Sequence, residues 1–129
     1  MKATRSHYQF VTNHSTGTSY TGPTTDSAGN VIPGYDNLDI DVAAIQVNYT
    51  GTAVGSYAVL GSVDGVNFTA LPFTVNGTVV TSIAAPANAS PIIFDLAGSG
   101  VQYLQLQYTF TSGSPGTFSA LVTGKRLGD

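Results

Sequence analysis

Cysteine is absent from the chain, which excludes disulfide cross-links, thiolate metal sites and a thiol nucleophile. Glutamate is absent too, so every carboxylate side chain is an aspartate. Charged residues make up only 9% of the sequence, against about 25% in an average soluble domain. Four lysines and arginines set against seven aspartates leave a net charge of -3, which argues against a nucleic-acid footprint. No run approaches the roughly 18 consecutive apolar residues of a membrane-spanning helix. The opening "MKATRSHYQFVTNHS" lacks the apolar core of a secretory signal. Synthesis in a cytoplasm is therefore expected, with the chain soluble until it assembles.

What remains is a surface of Thr, Ser, Asn, Gln and Gly. Little charge repulsion keeps such molecules apart. That suits a protein packed against others, or one that works outside the cell. The 129 residues fit one domain, which buries roughly 65–70% of its unfolded surface at this size.

Period two dominates the pattern of apolar residues, and it places successive side chains on opposite faces of a sheet. In "VQYLQLQYTF", Leu104, Leu106, Tyr108 and Phe110 fall on one face. Tyr103, Gln105, Gln107 and Thr109 fall on the other, which predicts a half-buried antiparallel strand. "AIQVNYT" behaves alike, with Ile45, Val47 and Tyr49 inward, and "GTFSALVTGK" follows with Phe118, Ala120 and Val122. "HYQFV", "SYAVLGS", "VNFTALPF", "TVVTSI" and "PIIFDL" complete about eight strands between Gly, Pro, Asn and Ser clusters. The predicted fold is all-β, an antiparallel β-sandwich of jelly-roll type.

The segment from Thr12 to Asn37 is rich in Gly, Ser and Thr and poor in large aliphatics. It predicts a long irregular N-terminal arm or loop, which extended would span roughly 85–90 Å. It either folds over its own sheet or is ordered by a partner. The chain thus divides into an N-terminal strand and arm, 1–37, and a sandwich core, 38–129, within one structural domain.

Few groups suggest chemistry. Asp64 and Gly65 interrupt two alternating runs, and Asp-Gly tolerates the backbone of a tight hairpin turn, so a structural turn is the expectation there. The cluster Asp36, Asn37, Asp39 and Asp41 could supply oxygen ligands to calcium, with Asp26 joining if the arm folds back. However, the spacing of a calcium-binding loop is missing, and polar entry into a strand explains the same residues. His7 and His14, the only two histidines, make a poor zinc set without cysteine. No nucleophile elbow of the G-x-S-x-G form occurs. A non-enzymatic chain without a cofactor is expected. N-x-[ST] sequons at Asn13, Asn48, Asn67, Asn76 and Asn88 arise readily by chance in so Ser/Thr-rich a chain. Tyr20, Tyr35 and Tyr103 are candidates for an interface or for stacking on a sugar. Tyr103 would equally pack under a neighbouring strand or the arm. The basic residues sit at the two ends: Lys2 and Arg5, then Lys125 and Arg126. If the termini meet, they form a small basic spot suited to an acidic partner surface.

"VNYTGTAVGSYAVLGSVDGVNFTALPF" followed by "IIFDLAGSGVQYLQLQYTFTSGSPGTFSALVTGKR" resembles small β-sandwich proteins of tailed-bacteriophage virions. The shared grammar is an S-x-D-G-x-x-[FW] hairpin, here Ser62, Asp64, Gly65 and Phe68. A Y-L-x-L-x-Y strand follows, then a Gly/Ser loop and a last strand ending in a basic pair. The same hairpin pattern occurs in discoidin-like and carbohydrate-binding sandwiches. The likeness spans roughly residues 43–126, about two thirds of the chain. Phe68 stands where Trp is common, and the arm has no counterpart. The resemblance implies a virion structural protein, either a capsid decoration or a tail or fibre component. Its partners would be major capsid or tail proteins and further copies of itself. A carbohydrate-binding module or the receptor-binding tip of a tail fibre, with a glycan as partner, is the alternative. Neither nucleic acid nor membrane is an expected partner.

Overall fold

A computed structural model describes residues 2–25, 28–36, 42–85, 91–97 and 101–128. Every element in it is a strand. In chain order these are β1 (Lys2–Ser15), β2 (Tyr20–Gly22), β3 (Tyr35–Asp36), β4 (Val42–Tyr49), β5 (Val54–Ser62) and β6 (Thr69–Leu71). There follow β7 (Phe73–Val75), β8 (Thr78–Val80), β9 (Ile83–Ala85), β10 (Ile92–Ala97), β11 (Tyr103–Ser112) and β12 (Thr117–Gly128).

The strands form two antiparallel sheets. Sheet A runs β1-β12-β4-β10-β7-β8, and sheet B runs β2-β11-β5-β6, with β3 also on β11 and β9 also on β5. The all-β sandwich read from alternation is thus the fold. The strand count reaches twelve because two of the expected runs divide and the segment expected to be irregular adds β2 and β3. "VNFTALPF" gives β6 to sheet B and β7 to sheet A. Pro72 stands between them, where a residue without an N–H cannot continue a ladder. "TVVTSI" likewise gives β8 to sheet A and β9 to sheet B. At both places the chain crosses between layers, so a single apolar run carries two strands.

The core lies between the sheets. Ile45, Val47, Phe94, Phe118, Ala120 and Val122 from sheet A meet Tyr57, Val59, Leu104, Leu106 and Tyr108 from sheet B, all essentially inaccessible to solvent. Aromatic rings join the layers: Tyr57 of sheet B lies 5.7 Å from Phe118 and 6.1 Å from Phe94 of sheet A, centroid to centroid. Within the layers Tyr57 lies 4.9 Å from Tyr108, and Phe73 4.9 Å from Phe94. Each such side chain stabilises the fold by about 1.5–3 kcal/mol through burial.

The segment expected to be irregular contributes two short strands to the sandwich. Tyr20–Gly22 and Tyr35–Asp36 both add to β11, as Tyr108↔Tyr20 and Leu104↔Tyr35 pairs. Between them Thr25 bridges Val31, and Ile32 N–H donates to Thr24 O at 2.9 Å. Side chains of β11 complete the attachment. Tyr108 Oη donates to Thr16 O at 2.8 Å, and Gln105 Nε2 donates to Pro33 O at 2.9 Å. Gln105 is therefore buried, although the period of its strand puts it on the outer face. The arm sets its Pro33 carbonyl against that side chain. Composition alone suggested too little apolar surface for order, but the sheet edge and these donors supply the missing interactions.

Candidate interaction surface

The turn at Asp64 lies between β5 and β6. Its carboxylate accepts from the Ser62 hydroxyl at 2.8 Å and from the Val66 and Asn67 amides at 2.9 Å. The Asn67 side chain adds a further bond at 2.9 Å. Ser62 Oγ in turn accepts from Gly65 N–H at 2.9 Å. Gly65 has φ +77°, the left-handed region glycine enters without strain. The Asn67 and Val66 amides, aided by the Asn67 side chain and the Ser62 hydroxyl, hold the Asp64 carboxyl well below the usual carboxylate range. Such a group is a poor proton acceptor, and its oxygens already satisfy the loop that carries it. A cleft of about 300 Å³ opens beside this hairpin, with Val63, Asn67 and Val101 in its lining.

The three tyrosines have different surroundings. Tyr35 is buried and packs against Phe10 at 5.6 Å. Tyr20 is half-buried; its hydroxyl donates to Phe10 O at 3.2 Å and its ring meets His14 at 5.0 Å and Phe118 at 5.8 Å. Tyr103 is half-buried, and its hydroxyl accepts from Gln102 Nε2 at 3.0 Å. Its ring lies close to Gly65, where an added Cβ would meet Tyr103 Cε2 at 3.2 Å. The exposed stacking platform that these residues suggested is therefore replaced by internal packing of Tyr20 and Tyr35, because the arm they belong to joins the sandwich.

Of the acidic cluster, Asp36 lies in β3 opposite Tyr103, while Asn37, Asp39 and Asp41 fall outside the described residues, as does Asp26. Among the described residues no group of three or more His, Cys or acidic side chains could hold a metal. No described helix is long and apolar enough to cross a membrane.

The broadest feature is the outer face of sheet A. Its pairing sets Gln9 opposite Leu121, Leu121 opposite Gln46 and Gln46 opposite Ile93 in one row. The next row carries Thr123, Ala44, Asp95, Thr74 and Val79. On the other side lie Ser119 and Asn48. Ile93 is 50% exposed, Leu121 36% and Val79 68%. Large apolar side chains thus stand among uncharged amides and hydroxyls, with Asp95 the one charged group in these rows. The face was not singled out in the sequence. Its signal was there: Leu121 and Ile93 are large apolar residues on the outward parity of their strands. At the outer edge β1 is irregular, with register shifts at Gln9/Val11 and Val11/His14. Gln9 Nε2 fills the first by donating to Val11 O at 2.7 Å and Ala120 O at 3.0 Å. Bulges of this kind blunt edge-to-edge pairing.

No family model matches the chain, and no curated protein does. Its fold is found in solved structures. The chain is similar to the SPBc2 prophage-derived protein YomS, with a TM-score of 0.65 and 10% identity over 95% of this chain and 96% of that one. It is also similar to the PBSX exported protein XepA, with a TM-score of 0.56 and 16% identity over 97% of this chain. That match covers 39% of XepA, so the present chain corresponds to part of that larger protein. At these identities the likeness establishes the shared sandwich.

Proposed function

We propose that the chain is a structural component of a phage particle, a capsid decoration or other surface subunit that works by protein–protein binding. The observation that carries this reading is the outer face of sheet A, where Leu121, Ile93 and Val79 are exposed in two adjacent rows of amides and hydroxyls that hold one charged group, Asp95. Depletion of charge around apolar anchors is the compositional mark of an interface core. The prophage origin of YomS, which shares this fold, supports the setting. Neighbouring capsid or tail proteins, and further copies of the chain, are the partners. Repetition on a lattice multiplies contacts that are weak singly. A carbohydrate-binding role draws less support, since Tyr20 and Tyr35 pack inward.

Leu121→Arg and Ile93→Arg test this. Both positions are solvent-facing, so the variants should keep the wild-type melting temperature. Particles assembled by the encoding phage should incorporate wild-type chain at a fixed copy number, read by native mass spectrometry or imaging, and lose both variants. Particles that never contain the wild-type chain, or a glycan array with a specific sugar hit, would replace the reading.

A further inference from the structure

The hairpin between β5 and β6 carries more apolar surface than its turn requires. Val63 is 72% exposed and Val66 79%, one on either side of the Asp64–Gly65 pair. The cleft of about 300 Å³ beside them is lined by Val63, Val101 and Thr69 together with Asp64 and Asn67. That volume lies at the lower end of the roughly 300–1,000 Å³ of ligand sites, which suits one side chain rather than a larger molecule. Gly98, Ser99 and Gly100, which precede Val101, lie outside the described residues and bring neither charge nor a large group.

The carboxylate at this cleft has neutral partners. Its donors are the Ser62 hydroxyl, the Val66 and Asn67 amides and the Asn67 side chain. These bonds fix the group and favour its ionised form without cancelling its charge. The four cations of the chain lie in β1 and β12 of sheet A, with Arg5 opposite Lys125 in the ladder, whereas the hairpin belongs to sheet B.

The acceptor geometry narrows the ligand. Oδ1 accepts from the Ser62 hydroxyl and from both amides, while Oδ2 accepts from Asn67 Nδ2. A carboxylate offers about four acceptor positions over its two oxygens. Oδ1 is therefore filled, and Oδ2 keeps room for one donor. An arginine fork needs both oxygens, whereas a lysine ammonium is a point charge that one oxygen can take. An exposed ion pair by itself contributes little, so the lysine stem must be covered as well. Val63, Val66 and Val101 offer apolar surface for its methylenes, the usual way a long cationic side chain packs. A sugar fits less well, since no aromatic ring is among the described lining residues.

We propose that this hairpin cleft binds a lysine side chain of a partner protein, with the stem against Val63 and Val101 and the ammonium on Asp64 Oδ2. The site belongs to sheet B and not to the outer face of sheet A, so it adds a second contact to the docking reading. Either can fail without the other.

The full chain, labelled with nitrogen-15, is titrated at low ionic strength with Nα-acetyl-lysine amide. The same titration is run with Nα-acetyl-arginine amide and with the lysine compound acetylated at Nζ. The first should shift the amides of Val63, Asp64, Asn67, Thr69 and Val101 along a saturable curve, and the other two should bind several-fold more weakly. Asp64→Asn should abolish the shifts, while Asp95→Asn, which removes the same charge from sheet A, should keep them. Thr69→Tyr fills the cleft from an exposed position and leaves the Asp64 bonds in place. It should melt like wild type yet lose the shifts, which decides the matter even where Asp64→Asn loosens the turn. Unmoved amides, or equal binding of the arginine or acetylated compound, would overturn the proposal. So would equal losses from the two aspartate variants, or a Thr69→Tyr chain that keeps the shifts.

Discussion

Asp64 and Tyr57 show how one polar group acts in opposite senses according to its partners. The Asp64 carboxylate accepts four hydrogen bonds, all of which favour the ionised form. Its native pKa is lowered, so its contribution to stability is complete above the unfolded value of about 3.9 and is lost as pH falls toward the native one. Asp64→Asn should therefore melt lower than wild type at neutral pH. The gap should close on acidification below the unfolded value, as followed by thermal melts across the acid range. A constant gap would mean that geometry, not charge, holds the loop. Tyr57 is the reverse case. Its buried hydroxyl has no hydrogen-bond partner among the described residues, and burial, reinforced by Tyr108 and Tyr49, pushes its pKa far up. A buried unmade hydrogen bond costs about 1–3 kcal/mol. Tyr57→Phe removes the hydroxyl, keeps the ring contacts with Tyr108 and Phe118, and should raise stability by about 1 kcal/mol in urea unfolding.

Among the elements, β11 decides the most. Its inward side chains Leu104, Leu106 and Tyr108 build the core, while Gln105 and Tyr108 fasten the N-terminal segment through Pro33 O and Thr16 O. Gln105→Ala removes a buried donor and its bond to the carbonyl of the exposed Pro33, a loss of about 0.5–1.5 kcal/mol localised to the arm. Limited proteolysis should find the wild-type segment between β1 and β4 nearly as resistant as the sheets, and the variant cut there several times faster. Rapid cutting of the wild type would mean that the segment needs a partner after all. These attachments explain what could be seen in the sequence beforehand. Alternation reports on a strand's own two faces, so the inward sets of β4, β11 and β12 were legible residue by residue. It cannot report a distant segment that adds strands beside β11 and sets the Pro33 carbonyl against Gln105, and so Gln105 looked exposed and Tyr35 looked free. Nor does it mark where an apolar run changes sheets, as at Pro72. The proposed docking face was written in Leu121 and Ile93, but a solvent-facing apolar residue gains meaning only beside its cross-strand neighbours, here Gln46 between them.

At the scale of the whole molecule, both sheets share a single apolar cluster that also takes in Tyr35 from the arm and Phe10 from β1. Few contacts would survive if one layer left the other, because Tyr57 of sheet B touches Phe94 and Phe118 of sheet A. The chain should therefore unfold in one cooperative step, arm included. With seven tyrosines and no tryptophan, tyrosine fluorescence reports the core and the arm together, and far-ultraviolet circular dichroism reports the sheets. The two urea curves should superimpose, and Phe94→Ala should move both midpoints down by the same amount, through a loss of about 3–5 kcal/mol. An early tyrosine transition that leaves the dichroism unchanged would instead separate the arm from the sandwich, and with it the idea that the subunit reaches its partner already rigid. A rigid subunit loses little conformational entropy on docking, so under the proposed function a face of modest apolar content, anchored by Leu121 and Ile93, would suffice once many copies bound side by side.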